Sequence, residues 1–218
     1  MFQEFGRNED VRKPAEEADM PTKAAVNQPK TARGEATRRA ILAAAEKVIG
    51  AKGYNDASIG HITSEAGVAQ GTFYIYFTTK EQVFSELVLE MGRLVRHTIA
   101  EATQGIGNRL EAEKAGLYAF LDFVQAHPDL YRIVQEALFV DPAAYEEYYT
   151  TFAAGYRSGL EAAEAAGQIS KGDSETRAWA LMGIARSLGE QLVVFKSDKP
   201  IPELVASAYD LIENGIKP

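Results

Sequence analysis

The sequence predicts an all-α fold of about nine helices, in which a three-helix unit precedes a larger helical body. Three observations predict it. Apolar residues recur every three or four positions through most of the chain after Gly34, and glycines, prolines and N-cap residues separate these stripes. No useful length of sequence has the two-residue alternation of a strand. The predicted parts are a tail at 1–33, a first domain at 34–79 and a second domain at 80–218.

The first domain contains three short helical patterns separated by turn signals. The first pattern opens near Thr37 and ends at Gly53. Ser58 is a suitable N-cap for a second helix, which Gly67 ends. A third helix is expected from about residue 70 to residue 77. The apolar stripe of the first helix comprises Ile41, Leu42, Ala45, Val48 and Ile49.

The second domain continues as six further amphipathic patterns. The first of these begins near Lys80. Later helices are expected to begin at Pro128, at Asp141-Pro142 and at Pro200, because proline fits the first turn of a helix and aspartate caps it. A purely helical body follows from these signals.

Residues 1–33 mix prolines with alternating charges and lack apolar periodicity, which predicts a disordered tail. Whether translation starts at Met1 or Met20 stays open. The first residues lack the apolar core of a signal peptide, and no stretch reaches the roughly 18 apolar residues of a membrane span. We therefore expect a cytoplasmic protein with no membrane partner.

Charge is distributed unevenly along a chain whose net charge is −8. Residues 1–29 carry a net charge of −2, residues 30–80 carry +3 and residues 81–218 carry −9. A short basic segment on an acidic body is typical of a protein that presents one surface to a polyanion. Chance fluctuation over a short window would give the same pattern.

Residue patterns typical of enzymes are absent from the sequence. His61, His97 and His127 are isolated and form no metal-spaced pair, and the chain has no cysteine. It has neither a phosphate-binding glycine loop nor a nucleophile elbow. We expect no enzymatic activity, no cofactor and no metal site.

Residues 58–77 have the length and punctuation of a helix-turn-helix, whose second helix lies in the major groove of DNA. On that helix Phe73 and Phe77 are four positions apart, and their shared face is expected to pack in the core. Gln70 stands at the N-terminal end, where its amide can bridge two atoms of an adenine. The residues that project from the other side are Gly71, Thr72, Tyr74 and Ile75.

Several of these positions suit nucleic-acid contacts. Ser58 and Lys80 begin helices, where free backbone N–H groups and the helix dipole favour a phosphate. Ile75 offers apolar contact, for instance to a thymine methyl group. An exposed Tyr74 in the net-basic segment favours contact with phosphate or base. The alternative is a short amphipathic helix with an aromatic core face and no ligand.

A dense pattern extends over residues 37–81. It comprises Thr37 to Ala45 (TRRAILAAA), Gly53-Tyr54, Ser58-Ile59, Ile62, Ala66 to Phe77 (AGVAQGTFYIYF) and Lys80-Glu81. This pattern resembles the DNA-binding domain of TetR-type (TetR/AcrR) transcriptional regulators. The resemblance implies a homodimer on a near-palindromic, double-stranded DNA operator. It implies base contacts from Gln70, Thr72 and Tyr74, with Ile75 nearby, and phosphate contacts from Thr37, Ser58, Tyr76 and Lys80.

The second domain is expected to hold a small-molecule effector and the dimer interface. Aromatic residues are unusually dense between residues 118 and 156, and a pocket among them would suit an apolar or aromatic molecule, for example one with a carboxylate or a coenzyme A thioester. The alternative is that most of these side chains form the core. The candidate ligand-binding residues are Tyr118, Phe123, Tyr131, Tyr145, Tyr149, Phe152 and Tyr156.

The last two helices are the predicted dimer interface. Gly183, Ala185 and Gly189 would allow two helices to approach closely, with Trp179 and Phe195 beside them, although an ordinary intramolecular core fits the same residues. The resulting hypothesis is a ligand-responsive repressor, with the effector, the operator and the sign of regulation left open. The competing hypothesis is an all-helical structural or adaptor protein, which would have no affinity for DNA.

Overall fold

The computed structural model describes residues 29–215, and over this range it contains nine α-helices and no strand. The all-α prediction is confirmed. The helices are α1 (Ala32–Lys52), α2 (Ile59–Glu65), α3 (Gln70–Tyr76), α4 (Lys80–Thr103), α5 (Arg109–Ala126), α6 (Pro128–Val140), α7 (Pro142–Ala165), α8 (Ser174–Val193) and α9 (Ile201–Asn214).

Local sequence signals set most helix boundaries. The Ser58 hydroxyl accepts the His61 N–H at 3.1 Å and so caps α2. Asp141 caps α7 in the same way, since its carboxylate accepts the Ala144 N–H at 3.1 Å. Between α2 and α3 the chain turns at Gly67, whose φ is +66°. Residues that have a Cβ atom rarely adopt this backbone conformation.

The first helix begins earlier than predicted. Thr31 is its N-cap and accepts the Gly34 N–H at 3.1 Å, so Thr37 lies inside α1 and its hydroxyl donates to the Arg33 carbonyl at 3.0 Å. The predicted tail at 1–33 is therefore wrong at its end; its residues 1–28 lie outside the described part. The first turn of α1 is solvent-exposed, so it carries no apolar periodicity from which its start could be predicted.

The long helix α1 and the short helices α2 and α3 form an N-terminal unit with a compact core. Phe73 and Phe77 are almost fully buried, and their ring centroids lie 5.6 Å apart. Ile41 of α1 and Ile62 of α2 belong to the same core and are fully buried. The predicted core face of α3 is confirmed, and this packing holds α3 with its opposite side outward.

The larger helical body is built around α4 and α5. Helix α4 packs against α5, α6 and α7, whereas α5 packs against α8 and α9 on its other side. The N-terminal unit joins this body chiefly where α1 packs against α6, with a smaller contact to α4. Between residues 29 and 215, none of the helices combines the length and apolar character needed to cross a membrane.

Candidate DNA interface and effector cavity

Helix α3 presents a continuous outward face. Phe73 and Phe77 anchor the helix in the core, while Gln70 and Gly71 are exposed on its first turn. Two large side chains also point to solvent: Tyr74 is 52% exposed and Ile75 is 58% exposed. Adjacent exposed apolar groups of this size on a short, firmly packed helix indicate a surface that another molecule covers.

Other predicted contact residues border this face. Thr72 and Tyr76 are half-buried on α3. The Tyr76 hydroxyl lies beside Gly34 in the first turn of α1, at 3.6 Å from the point where a Cβ would stand. Thr37 is half-buried on α1 and Ser58 is exposed at the N-terminus of α2. The structure therefore brings parts of α1 and α3 together, and the predicted phosphate contacts stay predictions.

Lys80 has a structural role that the sequence did not indicate. Its ammonium group donates to the carbonyl oxygens of Tyr54 and Ala57 at 2.6 and 2.7 Å and lies 4.0 Å from the centre of the Tyr54 ring. The side chain therefore ties the α1–α2 loop to the start of α4. A phosphate at this helix end has the backbone N–H groups available, but the ammonium is already engaged.

The same loop is tied to two further helices. The Tyr54 hydroxyl donates to Glu81 of α4 at 2.7 Å, and both carboxylate oxygens of Glu136 on α6 accept the Tyr54 N–H, at 2.8 and 3.0 Å. Tyr54 also packs edge-on against Phe84. The N-terminal unit is thus coupled to α4 and α6 of the larger body.

A cavity of about 380 Å³ lies among helices α4 to α9. Its wall is mostly apolar and aromatic, which is typical of a small-molecule site, and its volume is near the lower end of the usual range of about 300–1,000 Å³. Four of the seven predicted ligand-binding residues line it. They are Tyr131, Tyr149, Phe152 and Tyr156.

The other three predicted ligand-binding residues do not line this cavity. Tyr118 is exposed on the outside of α5. Phe123 is buried against His127, with ring centroids 4.5 Å apart, and Tyr145 packs on Tyr149 at 4.7 Å. Aromatic density alone cannot distinguish these positions, because the side of the helix on which each residue lies decides whether it reaches the cavity.

The cavity's phenols are held as neutral hydrogen-bonding groups. Burial, above all, raises the pKa of Tyr149 to about 12, and burial likewise raises the pKa of Tyr148, a lining residue that sequence reasoning did not identify. The Tyr131 hydroxyl donates to the Arg186 carbonyl at 2.8 Å. The wall therefore combines apolar rings with uncharged hydroxyls.

The cavity wall also contains charged residues that were not predicted from the sequence. Arg109 and Glu113 form an ion pair on α5, and Glu113 accepts a hydrogen bond from Tyr156. A signal for this was present: Glu113 is in helical register with the apolar residues Leu117 and Phe120, so a charge interrupts an otherwise apolar stripe. A carboxylate at such a position needs a buried partner.

The proposed dimer residues face in two directions. Gly183 is exposed with open space around it, and Trp179 and Phe195 are also exposed. Ala185 lines the cavity, and a Cβ at Gly189 would lie 3.1 Å from Tyr131. The expectation that Ala185 and Gly189 allow two subunits to approach is therefore corrected, because both residues face their own subunit's interior.

These features define a helix-turn-helix DNA-binding regulator with a helical ligand-binding domain. Residues 41–87 match the family model described as "Bacterial regulatory proteins, tetR family". The N-terminal helices are therefore similar to the DNA-binding domain of this family of transcriptional regulators.

One curated relative and two solved structures resemble the chain over most of its length. The chain is similar to the HTH-type transcriptional regulator YdgC of Bacillus subtilis, with 28% identity over 85% of this chain and 95% of the relative. Its fold is shared with the transcriptional regulator FadR of Bacillus subtilis, solved in complex with stearoyl-CoA (21% identity, TM-score 0.74, 82% of this chain and 99% of the other). The fold is also that of AibR, solved with isovaleryl coenzyme A and operator DNA (17% identity, TM-score 0.65, 80% and 97%).

Proposed function

We propose that the protein is a dimeric transcriptional repressor that binds a near-palindromic operator and is released from it by a small apolar effector. The observation that carries this proposal is the outward face of α3, where Gln70, Tyr74 and Ile75 are exposed on a helix locked by two buried phenylalanines. In this proposal residues 34–79 bind DNA, and residues 80–218 bind the effector and the partner subunit.

Sequence reading is assigned to α3 in the major groove. The Gln70 amide can pair with adenine, Ile75 can contact a thymine methyl group, and Tyr74 and Thr72 supply hydroxyls to bases or phosphates. Thr37, Ser58 and Tyr76 would contact phosphates from the flanks. Because one such helix reads only a few base pairs, useful specificity needs two of them, about 34–36 Å apart or a multiple of this.

The effector that we propose has an apolar chain and an anionic head, as an acyl-coenzyme A or a fatty acid has. The cavity wall supports the apolar part. Arg186, at an exposed position of the wall, supports the anionic part: its guanidinium contacts neutral groups, the Gln135 amide oxygen at 3.3 Å and the Tyr149 ring at 6.0 Å. The acyl-coenzyme A ligands of FadR and AibR agree with this class.

Release of DNA would pass through α4 and α6. Both helices line the cavity, and both hold the loop at Tyr54 through Glu81 and Glu136. An effector can displace DNA only if it binds the DNA-incompetent arrangement more tightly, and DNA must then weaken effector binding by the same factor. Coupling of about 1–3 kcal/mol would correspond to a factor of about 5–150.

A gel-shift experiment with the DNA upstream of the protein's own gene tests the first half of the proposal, and selection from random DNA gives the operator. We expect a specific complex that acyl-coenzyme A dissociates. Absence of any DNA affinity would favour the structural or adaptor alternative. Equal affinity of acyl-coenzyme A for free and DNA-bound protein would exclude it as the inducer. A reporter gene under the selected operator, with and without the protein, tests repression.

A further inference from the structure

The buried ion pair of the cavity wall stands between two cavities. Arg109 and Glu113 line both the cavity of about 380 Å³ and a second cavity of about 450 Å³ on the far side of the pair. The second cavity includes Leu160 of α7 and Ile169 after it. Leu181, Ile184 and Ile212 line both cavities as well, so these apolar side chains and the ion pair form a shared wall.

The polar groups of this wall satisfy one another. The Arg109 Nε donates to Glu113 at 2.7 Å, Tyr156 donates to the other oxygen of the carboxylate, and the guanidinium lies 5.3 Å from the centre of the Tyr156 ring. Gly159 leaves the space that the guanidinium fills, since a Cβ there would lie 2.6 Å from it. Glu113 is only 9% exposed. Separating such a pair leaves a buried charge without a partner, which is strongly unfavourable.

We infer that the Arg109–Glu113–Tyr156 cluster is the end wall of the effector cavity and sets the longest acyl chain that the protein binds well. This inference rests on the proposed function, because it presumes that the cavity takes an acyl chain. If the head group of the effector lies at Arg186, its acyl chain would run along α7 from Tyr149 towards Tyr156. The apolar tail of the effector would stop at this cluster. To pass further it would have to separate Arg109 from Glu113, and an alkyl chain offers neither charged group a new partner.

The cavity's volume sets the expected length. At about 30 Å³ for each water-sized group, 380 Å³ holds roughly a dozen non-hydrogen atoms. Each methylene that fits should raise affinity about fourfold, by the usual transfer free energy. Affinity should therefore rise from hexanoyl- to about lauroyl-coenzyme A and then stop rising, although the second cavity beyond the wall has space for a longer chain.

Calorimetric titration of the full-length protein with saturated acyl-coenzyme A thioesters, from hexanoyl to stearoyl, tests this inference. In the wild type we expect affinity to level off near lauroyl. The double variant R109A/E113A removes both charges together and opens the wall, so stearoyl affinity should rise at least tenfold while octanoyl affinity changes little. Tyr156→Ala opens the same end by an independent change and should shift the preference in the same direction.

The matched control is R157A/E161A, which removes an Arg–Glu pair of the same i, i+4 spacing from the outside of α7. It should leave the chain-length profile unchanged. A wild-type affinity that keeps rising to stearoyl overturns the inference without any variant. The inference is also overturned if R109A/E113A or Tyr156→Ala folds and shows the same dependence of affinity on acyl-chain length as the wild type. If the wild type binds no acyl-coenzyme A of any length, the proposed effector class fails instead, and the inference falls with it.

Discussion

Tyr74 and Gln70 are exposed on α3, and within residues 29–215 the core of the N-terminal helices is formed by other side chains, so their substitution should disturb the packing little. If they contact bases, Tyr74→Ala and Gln70→Ala should each weaken operator binding by about 1–3 kcal/mol, with little loss of affinity for unrelated DNA. Fluorescence anisotropy on the selected operator and on a scrambled duplex measures both. Gln125→Ala, at an exposed position of α5, is the control. Unchanged operator affinity in Tyr74→Ala would remove α3 from the role of recognition helix.

Lys80 shows how a residue predicted for one contact can serve another. Because its ammonium group holds the carbonyls of Tyr54 and Ala57, Lys80→Met should lower the free energy of unfolding by about 1.5–3 kcal/mol, the usual contribution of a hydrogen bond to a charged group. Urea unfolding measures this, with the exposed Lys52→Met as control. If Lys80 also contacts a phosphate, a plot of log DNA affinity against log salt concentration should have a slope about one unit smaller in magnitude for Lys80→Met than for the wild type. Wild-type stability in Lys80→Met would refute the structural role.

At the scale of single residues, local chemistry was predictable from the sequence and long-range contacts were not. The caps at Ser58 and Asp141 were predicted, because a cap depends on residues within one turn of it. The direction of Lys80 depends on carbonyls more than twenty positions away. The inward position of Glu113 was signalled by its register, but its partner Tyr156 is 43 positions away in another helix.

At the scale of elements, the contact between α1 and α6 joins the N-terminal unit to the body. Glu46 of α1 is half-buried there. Burial raises the pKa of its carboxyl group, the neighbouring His127 opposes this, and Asp129 adds to it. Because the folded state binds this proton more tightly than the unfolded state, the protonated form is favoured on folding. Stability is therefore lost as the pH rises from the ordinary pKa of glutamate through the raised one.

Glu46→Gln should accordingly raise the melting temperature at pH 7, since the amide carries no charge to bury. The difference from the wild type should shrink as the pH falls towards the ordinary glutamate pKa of about 4.3, where the wild-type carboxyl group is also becoming neutral. Differential scanning calorimetry across this range measures it, with Asp122→Asn at an exposed position of α5 as control. A stabilisation that is the same at every pH would contradict the electrostatic explanation.

The number, type and approximate limits of the helices were predictable, but not which side of each helix faces which neighbour. Helix α8 illustrates the difficulty, since it packs against both α5 and α7 and still presents exposed residues. Its small residues were assigned to a single interface. Gly183 and Gly189 are six positions apart, so they lie about 120° apart around the helix axis and face different neighbours, which a list of small residues does not reveal.

At the scale of the whole molecule, the exposed faces of α8 and α9 form a surface suited to contact with a second copy of the chain. On α8 the exposed positions Ala180, Gly183 and Ser187 form a stripe of small side chains. Trp179 of the same helix is 43% exposed, and Leu211 of α9 is also 43% exposed. Small residues with large apolar ones beside them let two helices approach closely and bury apolar area, which supports the dimer required for two recognition helices on one operator.

Gly183→Arg tests this assembly without touching the cavity, because open space surrounds Gly183. The charged side chain should prevent close helix approach, so sedimentation velocity at micromolar concentration should show monomers where the wild type sediments as a dimer. Operator affinity should fall with dimerisation, whereas circular dichroism should stay helical. Ala102→Arg, at an exposed position of α4, is the matched control and should remain dimeric. A substitution at Gly189 would instead push against Tyr131 inside the subunit and impair effector binding. A folded Gly183→Arg protein that still sediments as a dimer would show that the subunits meet on another surface.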